Sequence, residues 1–380
     1  MPFFSFSIKE IKSSLRKFNI TPNKVYFSKN TELWKILNKK NNPILNFLKY
    51  EKRYHITNIG KNIVFCLPPS IGLGDAIEYA MAIKYIRENI TFDKLAIAFS
   101  GDLSFLFNDY FQLDKIYPHI IKKDDINKFD TIYHLTLEIK SLVNQKYCRS
   151  NIFEEIIKHF NISKTKKKTV KDCRNFKINK ISIFPLSSSP IRTMPLNILN
   201  ELIKKLKKNY NIEIFLDSNL EISNYLYDKI NSKNIILADP KNKLELISAI
   251  KNIEYGLFMD SGPLHIAKLF NKRGILLESS VSGKILLSNY SLIKSIENKF
   301  LSNFCKAPCG LTDIFNYSNN YGCYDSLKLK STKLIDSNFK NMTNRGVKNY
   351  YMENIKKPVG CLSSLNVQKI YNVIKKDISL

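Results

Sequence analysis

The chain has 380 residues, 44% hydrophobic and 24% charged, with 12 Gly and 13 Pro, which excludes a wholly disordered, collagen-like or low-complexity protein. At roughly 150 residues per domain it can build two to three cores, and no apolar run approaches the roughly 18 residues of a bilayer-spanning helix. Sixty Lys and Arg against 33 Asp and Glu give a net charge of +27, a field that draws anions such as nucleic acid, lipid headgroups, phosphorylated sugars or nucleotides. The cations are spread along the whole chain, as a Lys-, Asn- and Ile-rich composition produces. They form no arm with interleaved aromatics, so specific nucleic-acid binding is poorly supported. The start, MPFFSFSIKEIKSSLRK, lacks the basic-then-apolar pattern of a secretory signal. With seven Cys, an odd number, the expectation is a cytoplasmic protein without a disulfide framework.

Residues 1–60 read as a basic N-terminal extension with helices over Ile8–Phe18 and Thr31–Tyr50 and no chemical motif. A buried strand begins at Ile63-Val64-Phe65-Cys66-Leu67, followed by the loop Gly72-Leu73-Gly74-Asp75 and a helix over Ala76–Glu88. Further strands fall at Lys94–Phe99 and Asp130–His134, an alternation that implies a parallel sheet over 61–170. The charged stretch Lys164–Lys171 reads as a linker. Beyond it, strands at Lys180–Pro185, Ile212–Asp217, Asn234–Ala238, Tyr255–Met259 and Arg273–Leu277 alternate with helices at Pro195–Lys208, Leu220–Ile230, Lys243–Lys251 and Pro263–Phe270. These five strands and four helices predict a second doubly wound domain over 178–300. Residues 301–380 form a Cys-containing tail that ends in a helix over Val367–Lys376. The fold class is therefore α/β, with two Rossmann-like domains expected to face each other across a cleft, where ligands meet the carboxyl ends of the strands.

Three loops at those strand ends carry unusual residues. Gly72 and Gly74 allow close backbone approach, and Asp75 at the helix start is either an N-cap or a general base for an acceptor hydroxyl. A third glycine of the dinucleotide fingerprint is missing, since Ile77 stands there, which argues against NAD. Ser187, Ser188, Ser189 and Arg192 precede the helix opened by Pro195. Hydroxyls and a guanidinium suit phosphate recognition, although a polar turn accounts for them equally well. Asp260-Ser261-Gly262-Pro263-Leu264-His265 lies at a strand-to-helix junction, where backbone N–H groups at a positive helix end fit a pyrophosphate.

Taken together, these segments resemble the family 9 glycosyltransferases, the heptosyltransferases of lipopolysaccharide core assembly. The resemblance rests on four collinear segments within about 61–376. They are Gly74-Asp75-Ala76-Ile77, then Ile181–Ser189 with Arg192 and Pro195, then Asp260-Ser261-Gly262-Pro263-Leu264-His265-Ile266-Ala267, and last Cys361-Leu362-Ser363-Ser364-Leu365-Asn366-Val367. It implies the GT-B fold and an inverting, metal-independent transfer from a nucleotide-sugar donor, ADP-heptose among the candidates, with no other cofactor. The acceptor it implies is a lipid-linked or phosphorylated saccharide of the cell envelope, with peripheral contact at an anionic inner-membrane face. By position, Asp75 matches the catalytic base. Ser187, Ser188, Arg192, Asp260, Ser261, Gly262 and His265 match the donor site, with Gly72 and Gly74 in the acceptor-side loop. The sequence departs from the family in having Arg192 for Lys, Met194 for Trp and Lys268 for a small residue.

Cys305, Cys309, Cys323 and Cys361 have the number but not the spacing of a standard four-thiolate zinc site, and buried free thiols are the favoured alternative. Two other functions fit parts of the pattern: a non-catalytic GT-B relative that binds a nucleotide or glycan, and a basic nucleic-acid-binding protein.

Overall fold

The computed structural model describes residues 25–27, 60–67, 71–99, 103–110, 113, 115–117, 120–122, 125, 127–134, 140–142, 146–148, 151–160, 162, 177–187, 189–230, 235–288, 290–301, 306–310 and 358–379. The helices expected over Ile8–Phe18 and Thr31–Tyr50, the charged stretch Lys164–Lys171, and Ser188, Cys305 and Cys323 lie outside these residues. The chain divides into two units. One comprises Met1–Glu138 with Ile152–Lys164, the other Ile139–Asn151 with Thr165–Leu380.

The first unit contains β1 (Asn62–Cys66), α1 (Leu73–Asn89), β2 (Lys94–Ala98), α2 (Ser104–Tyr110), β3 (Lys115–Tyr117), β4 (Thr131–His134) and α3 (Ile152–His159). The four strands are all parallel, in the order β3-β2-β1-β4. β3 is a three-residue edge strand beyond those read from sequence. Val25–Phe27 pairs antiparallel with Ile120–Lys122, so part of the N-terminal extension is built into a sheet. Phe65 on β1, Tyr133 on β4 and Phe160 after α3 cluster with ring centroids 4.9–5.8 Å apart. Such aromatic triads add edge-on contacts to a large buried area.

The second unit contains β5 (Lys180–Phe184), α4 (Leu196–Leu206), β6 (Asn211–Phe215), α5 (Glu221–Lys229), β7 (Ile235–Ala238), α6 (Lys243–Lys251), β8 (Tyr255–Phe258), α7 (Gly262–Leu269), β9 (Gly274–Leu277), α8 (Gly283–Leu286), β10 (Ile293–Ile296), α9 (Gly360–Ser363) and α10 (Val367–Ile378). Its six parallel strands run in the order β7-β6-β5-β8-β9-β10. This is the 3-2-1-4-5-6 order of a doubly wound nucleotide-binding sheet, whose direction of winding reverses between its first and fourth strands. The sixth strand, β10, exceeds the expected five. Its Ile293-Lys294-Ser295-Ile296 is buried only at the two ends, so it carries no apolar run.

Both faces of this sheet are covered, which explains the nearly continuous apolar strands Ile181–Phe184, Tyr255–Phe258 and Gly274–Leu277. Ile181, Ile183, Ile212, Ile214, Leu257 and Ile275 pack with the apolar faces of α4, α5 and α10. The other alternate positions include Phe215, Phe184 and Phe258 on the adjacent strands β6, β5 and β8. Their rings stack at 4.4 and 5.1 Å with interplanar angles of 20° and 10°. Phe258 also fixes two glycines, since a Cβ on Gly256 would lie 2.1 Å from its ring and one on Gly274 only 2.2 Å from the Gly256 carbonyl.

The tail closes the same core. Cys361, Leu362, Leu365 and Val367 are buried in it. Asn366 caps α10 by accepting the Lys369 N–H at 2.8 Å. At the amino ends of the strands, buried Asp377 of α10 accepts the Tyr255 hydroxyl at 2.9 Å and forms ion pairs with Arg273 and Lys294. Its carbonyl also accepts from Arg273 Nη2 at 2.7 Å. Cys309 is partly buried and Cys361 buried, and no metal-sized group of His, Cys, Asp and Glu occurs among the described residues.

Candidate functional site

In the second unit, the reversal of strand order places two loops side by side, residues 185–195 after β5 and Met259-Asp260-Ser261 after β8. The 185–195 loop is tied by its own backbone and by one threonine. Met194 N–H donates to the Pro185 carbonyl at 2.8 Å and Arg192 N–H to the Ser189 carbonyl at 3.1 Å. Thr193 Oγ1 accepts the Ser187 N–H at 3.2 Å and donates to the Ser189 carbonyl at 3.1 Å. Thr193 is fully buried; in the sequence it looks like one more polar turn residue, and only its burial and its bonds within the loop reveal the stapling role. Met194 points into the core, and Pro195, expected as the first helical residue, is the N-cap of α4, which begins one position later at Leu196.

The two loops meet on one peptide. The Asp260 carbonyl accepts from Ser187 Oγ at 3.0 Å and from Arg192 Nη1 at 2.9 Å. The same Arg192 nitrogen stands 3.2 Å from Asp260 Oδ2. Arg192 is 8% exposed and Asp260 1%, so this is a desolvated, charge-assisted contact. Arg192 thereby orients the Asp260-Ser261 turn.

That turn opens α7. Ser261 is its N-cap, with extended backbone (φ −156°, ψ 173°), and its side chain makes no cap hydrogen bond to the helix. The Ser261 hydroxyl turns back to the Met259 carbonyl at 3.4 Å. The first turn of α7 carries no acidic residue, so its positive end is neutralised neither by a capping side chain nor by an acid of its own. A helix end of that kind is a ready anion site. His265, one turn further, is buried at 2% exposure. Lys268, buried two turns in, donates Nζ to the Leu286 carbonyl at the end of α8 at 2.8 Å. The structure thus brings Ser187, Arg192, Asp260 and Ser261 into contact, with Gly262 and His265 on the helix they open.

At the end of β6, Asp217 Oδ1 accepts the Asn219 N–H at 3.0 Å. At the end of β7, Asp239 accepts the Ser218 N–H at 2.9 Å and pairs with Lys241. These bonds, led by the one from Lys241, hold the Asp239 carboxyl down at about 2.

In the first unit, α1 begins at Leu73, not Ala76, and its N-cap is Gly72. Asp75 therefore sits at the third helical position, inside the first turn, and is not the cap. Its Oδ2 would lie 3.6 Å from a Cβ on Gly72, so the carboxylate leans back over the helix start, where an acid favours the dipole. It is half-buried, and one turn on, Glu78 is fully buried, a position that the apolar pattern had not marked as polar.

No protein-family model and no curated protein matches the chain. Among solved structures, a family 9 glycosyltransferase from Veillonella parvula superposes with a TM-score of 0.53 at 11% identity, over 84% of this chain and 98% of that one. ADP-heptose lipopolysaccharide heptosyltransferase II of E. coli gives a TM-score of 0.46 at 12% identity, over 64% and 91%. The iron-containing dodecameric glycosyltransferase TibC of enterotoxigenic E. coli gives 0.48 at 13%, over 84% and 76%. The chain thus shares its two-unit, GT-B type α/β fold with a family 9 glycosyltransferase, and the likeness read from its motifs has a structural counterpart.

Proposed function

We propose that this chain, having the fold of a family 9 glycosyltransferase, transfers a sugar with inversion from a nucleoside-diphosphate donor to a hydroxyl of a cell-envelope saccharide. The observation that carries this is the Asp260 peptide, pinned by Ser187 and Arg192 at the open end of α7. In the proposed transfer the donor diphosphate lies at the Ser261-Gly262 turn. Asp75 takes the proton of the acceptor hydroxyl, whose oxygen attacks the anomeric carbon. The bond from that carbon to the diphosphate oxygen breaks, and its electron pair leaves with the nucleoside diphosphate. The transfer is proposed to be metal-independent, so the charge growing on the leaving group is met by the N–H groups of α7, on a turn that Arg192 holds in place. Asp75 and the diphosphate site belong to different units, so transfer requires both to engage one substrate pair.

The donor is proposed to be ADP-linked, because a heptosyltransferase of this fold was crystallised with ADP-D-β-D-heptose and E. coli WaaC with ADP. The net charge of +27 supports a phosphorylated or lipid-linked acceptor at an anionic membrane surface. No helix among the described residues is long and apolar enough to cross a membrane.

A thermal-shift screen of ADP-, GDP-, UDP- and dTDP-linked sugars identifies the donor, and the Asp75→Ala variant then tests the base. Transfer should fall by about 10²-fold or more, while the donor still shifts the melting temperature. Unchanged turnover would reduce Asp75 to a helix-stabilising residue, and no shift with any sugar nucleotide would remove the donor site. Vesicles of anionic lipid should retain the chain at low salt and release it at about 0.5 M salt; retention at both would contradict a charge-driven contact.

A further inference from the structure

Past the end of β9 the chain runs Glu278-Ser279-Ser280, and all three residues are buried at 1–3% exposure. Their backbone is fixed: Glu278 N–H donates to the Ile296 carbonyl at 3.2 Å, and the Ser280 carbonyl accepts the Gly310 N–H at 2.7 Å. Their side chains are not paired in the same way. Glu278 Oε2, Ser279 Oγ and Ser280 Oγ find no hydrogen-bond partner among the described residues. Buried polar atoms are rarely left so, because each loses its bonds to water without replacement. Three at consecutive positions, on a loop whose backbone is satisfied, mark a place prepared for a polar guest.

Their place in the fold says which guest. β9 pairs with β8 in the register Phe258↔Leu276, so the loop carrying Glu278 starts alongside the loop carrying Asp260 and Ser261. A further unpartnered buried polar atom, Ser189 Oγ, lies in the loop after β5, on the other side of β8. In a 3-2-1-4-5-6 sheet the nucleoside lies over the half built from the first three strands, with a carboxylate after the second strand near the ribose. Here that half is β5-β6-β7, with Asp217 following β6. What lies beyond the diphosphate falls over the half built from β8-β9-β10, and in a sugar nucleotide that group is the sugar. A carboxylate oxygen accepts a hydroxyl proton, and a serine hydroxyl both donates and accepts. The trio therefore matches a polyol and offers no cation to a phosphate.

Building on the donor site proposed above, we propose that Glu278, Ser279 and Ser280 form a subsite that recognises hydroxyls of the sugar being transferred. Glu278 is held for this by Gly283. A Cβ there would lie 2.5 Å from Glu278 Oε1 and 2.4 Å from Ser295 Oγ, so only glycine leaves the carboxylate in place.

Calorimetric titration of the full chain and of E278Q with ADP and with ADP-D-β-D-heptose tests this, with UDP and UDP-glucose, GDP and GDP-mannose, and dTDP and dTDP-glucose run in parallel. For the pair that the unaltered chain binds, E278Q should bind the sugar conjugate about tenfold or more weakly, because a hydrogen bond to a charged acceptor is lost. Its affinity for the free diphosphate should be unchanged. The double variant S279A/S280A should show the same split, and it carries the test if E278Q does not fold. Equal affinities of variants and unaltered chain for the conjugate would overturn the subsite alone. Equal weakening toward both ligands would overturn it as a sugar site and move it to the nucleoside. Failure of the unaltered chain to bind any of the eight ligands would overturn it together with the donor site.

Discussion

The pairing of Arg192 with Asp260 makes a claim that can be worked out in energy. If the guanidinium orients the turn, its removal should destabilise the second unit even without any substrate. At 3.2 Å and an effective dielectric of about 20, the attraction is ~5 kcal/mol before desolvation. Desolvation of two groups that are both more than nine-tenths buried offsets a large part, leaving a coupling of about 2–3 kcal/mol. Arg192→Met also removes the bond to the Asp260 carbonyl and strands a buried carboxylate, so it should cost about 3–5 kcal/mol. Asp260→Asn retains the carbonyl contact and should cost less. Urea unfolding of the two single variants and the double variant, followed by circular dichroism, gives the coupling directly. The double variant should be more stable than the sum of the two losses predicts, by about 2 kcal/mol. Additivity within ~0.5 kcal/mol would refute the pairing and return Arg192 to the role first read for it, a direct phosphate ligand. Arg192→Lys should recover only part of the stability, since one ammonium cannot reproduce the planar fork.

Two further outcomes concern the scaffold. The Tyr255 hydroxyl is pushed above its ordinary value of 10.0, first by burial and then by the charge of Asp377 and the hydrogen bond to it. A folded value above the unfolded one means that this contribution is whole below about pH 10 and is lost as pH rises further. Urea midpoints between pH 8 and 11 should therefore fall more steeply for the unaltered chain than for Tyr255→Phe, and parallel curves would contradict this. Gly274→Ala places a methyl 2.2 Å from the Gly256 carbonyl and 2.9 Å from the Phe258 ring, so it should destabilise by about 1–3 kcal/mol or more. An unchanged urea midpoint would mean that β8 and β9 are not packed this closely.

Much of the scaffold is legible in sequence because strands buried on both faces are short apolar runs closed by Pro, Gly or Asp. Lys180–Phe184 and Tyr255–Phe258 are of that kind. Two of the edge strands are not, because Lys115-Ile116-Tyr117 and Ile293-Lys294-Ser295-Ile296 need few apolar residues and so lack the pattern. Strand order was equally hidden, since Phe184 pairs with Phe258 across more than seventy residues of chain. At the site, the loops were readable but their mutual bonds were not. An Arg among serines reads as a phosphate ligand, and nothing local reveals that its partner lies 68 residues away. For Asp75, glycines at 72 and 74 obscure the start of α1, so a residue at the third helical position reads as one at the helix start, where a cap and a general base fit alike. Glu278-Ser279-Ser280 carries no local signal, because a polar triplet after a strand is ordinary turn composition.

The stack of Phe215, Phe184 and Phe258 gives the two loops of the proposed diphosphate site a rigid apolar base. Phe184 and Phe258 are the last residues of β5 and β8, so each loop of the cradle leaves the sheet from a ring already fixed against the other at 5.1 Å. Only Pro185 and Leu186 separate Phe184 from Ser187, and only Met259 separates Phe258 from Asp260. The glycines at 256 and 274 admit the Phe258 ring, and the ring sets the spacing of the loops that Arg192 and Ser187 then join. Catalytic electrostatics depends on donors that need not reorganise when charge appears. Here that rigidity comes from an apolar stack immediately below the loops, so a substitution at Gly274 that leaves the chain folded should weaken donor binding without touching the donor.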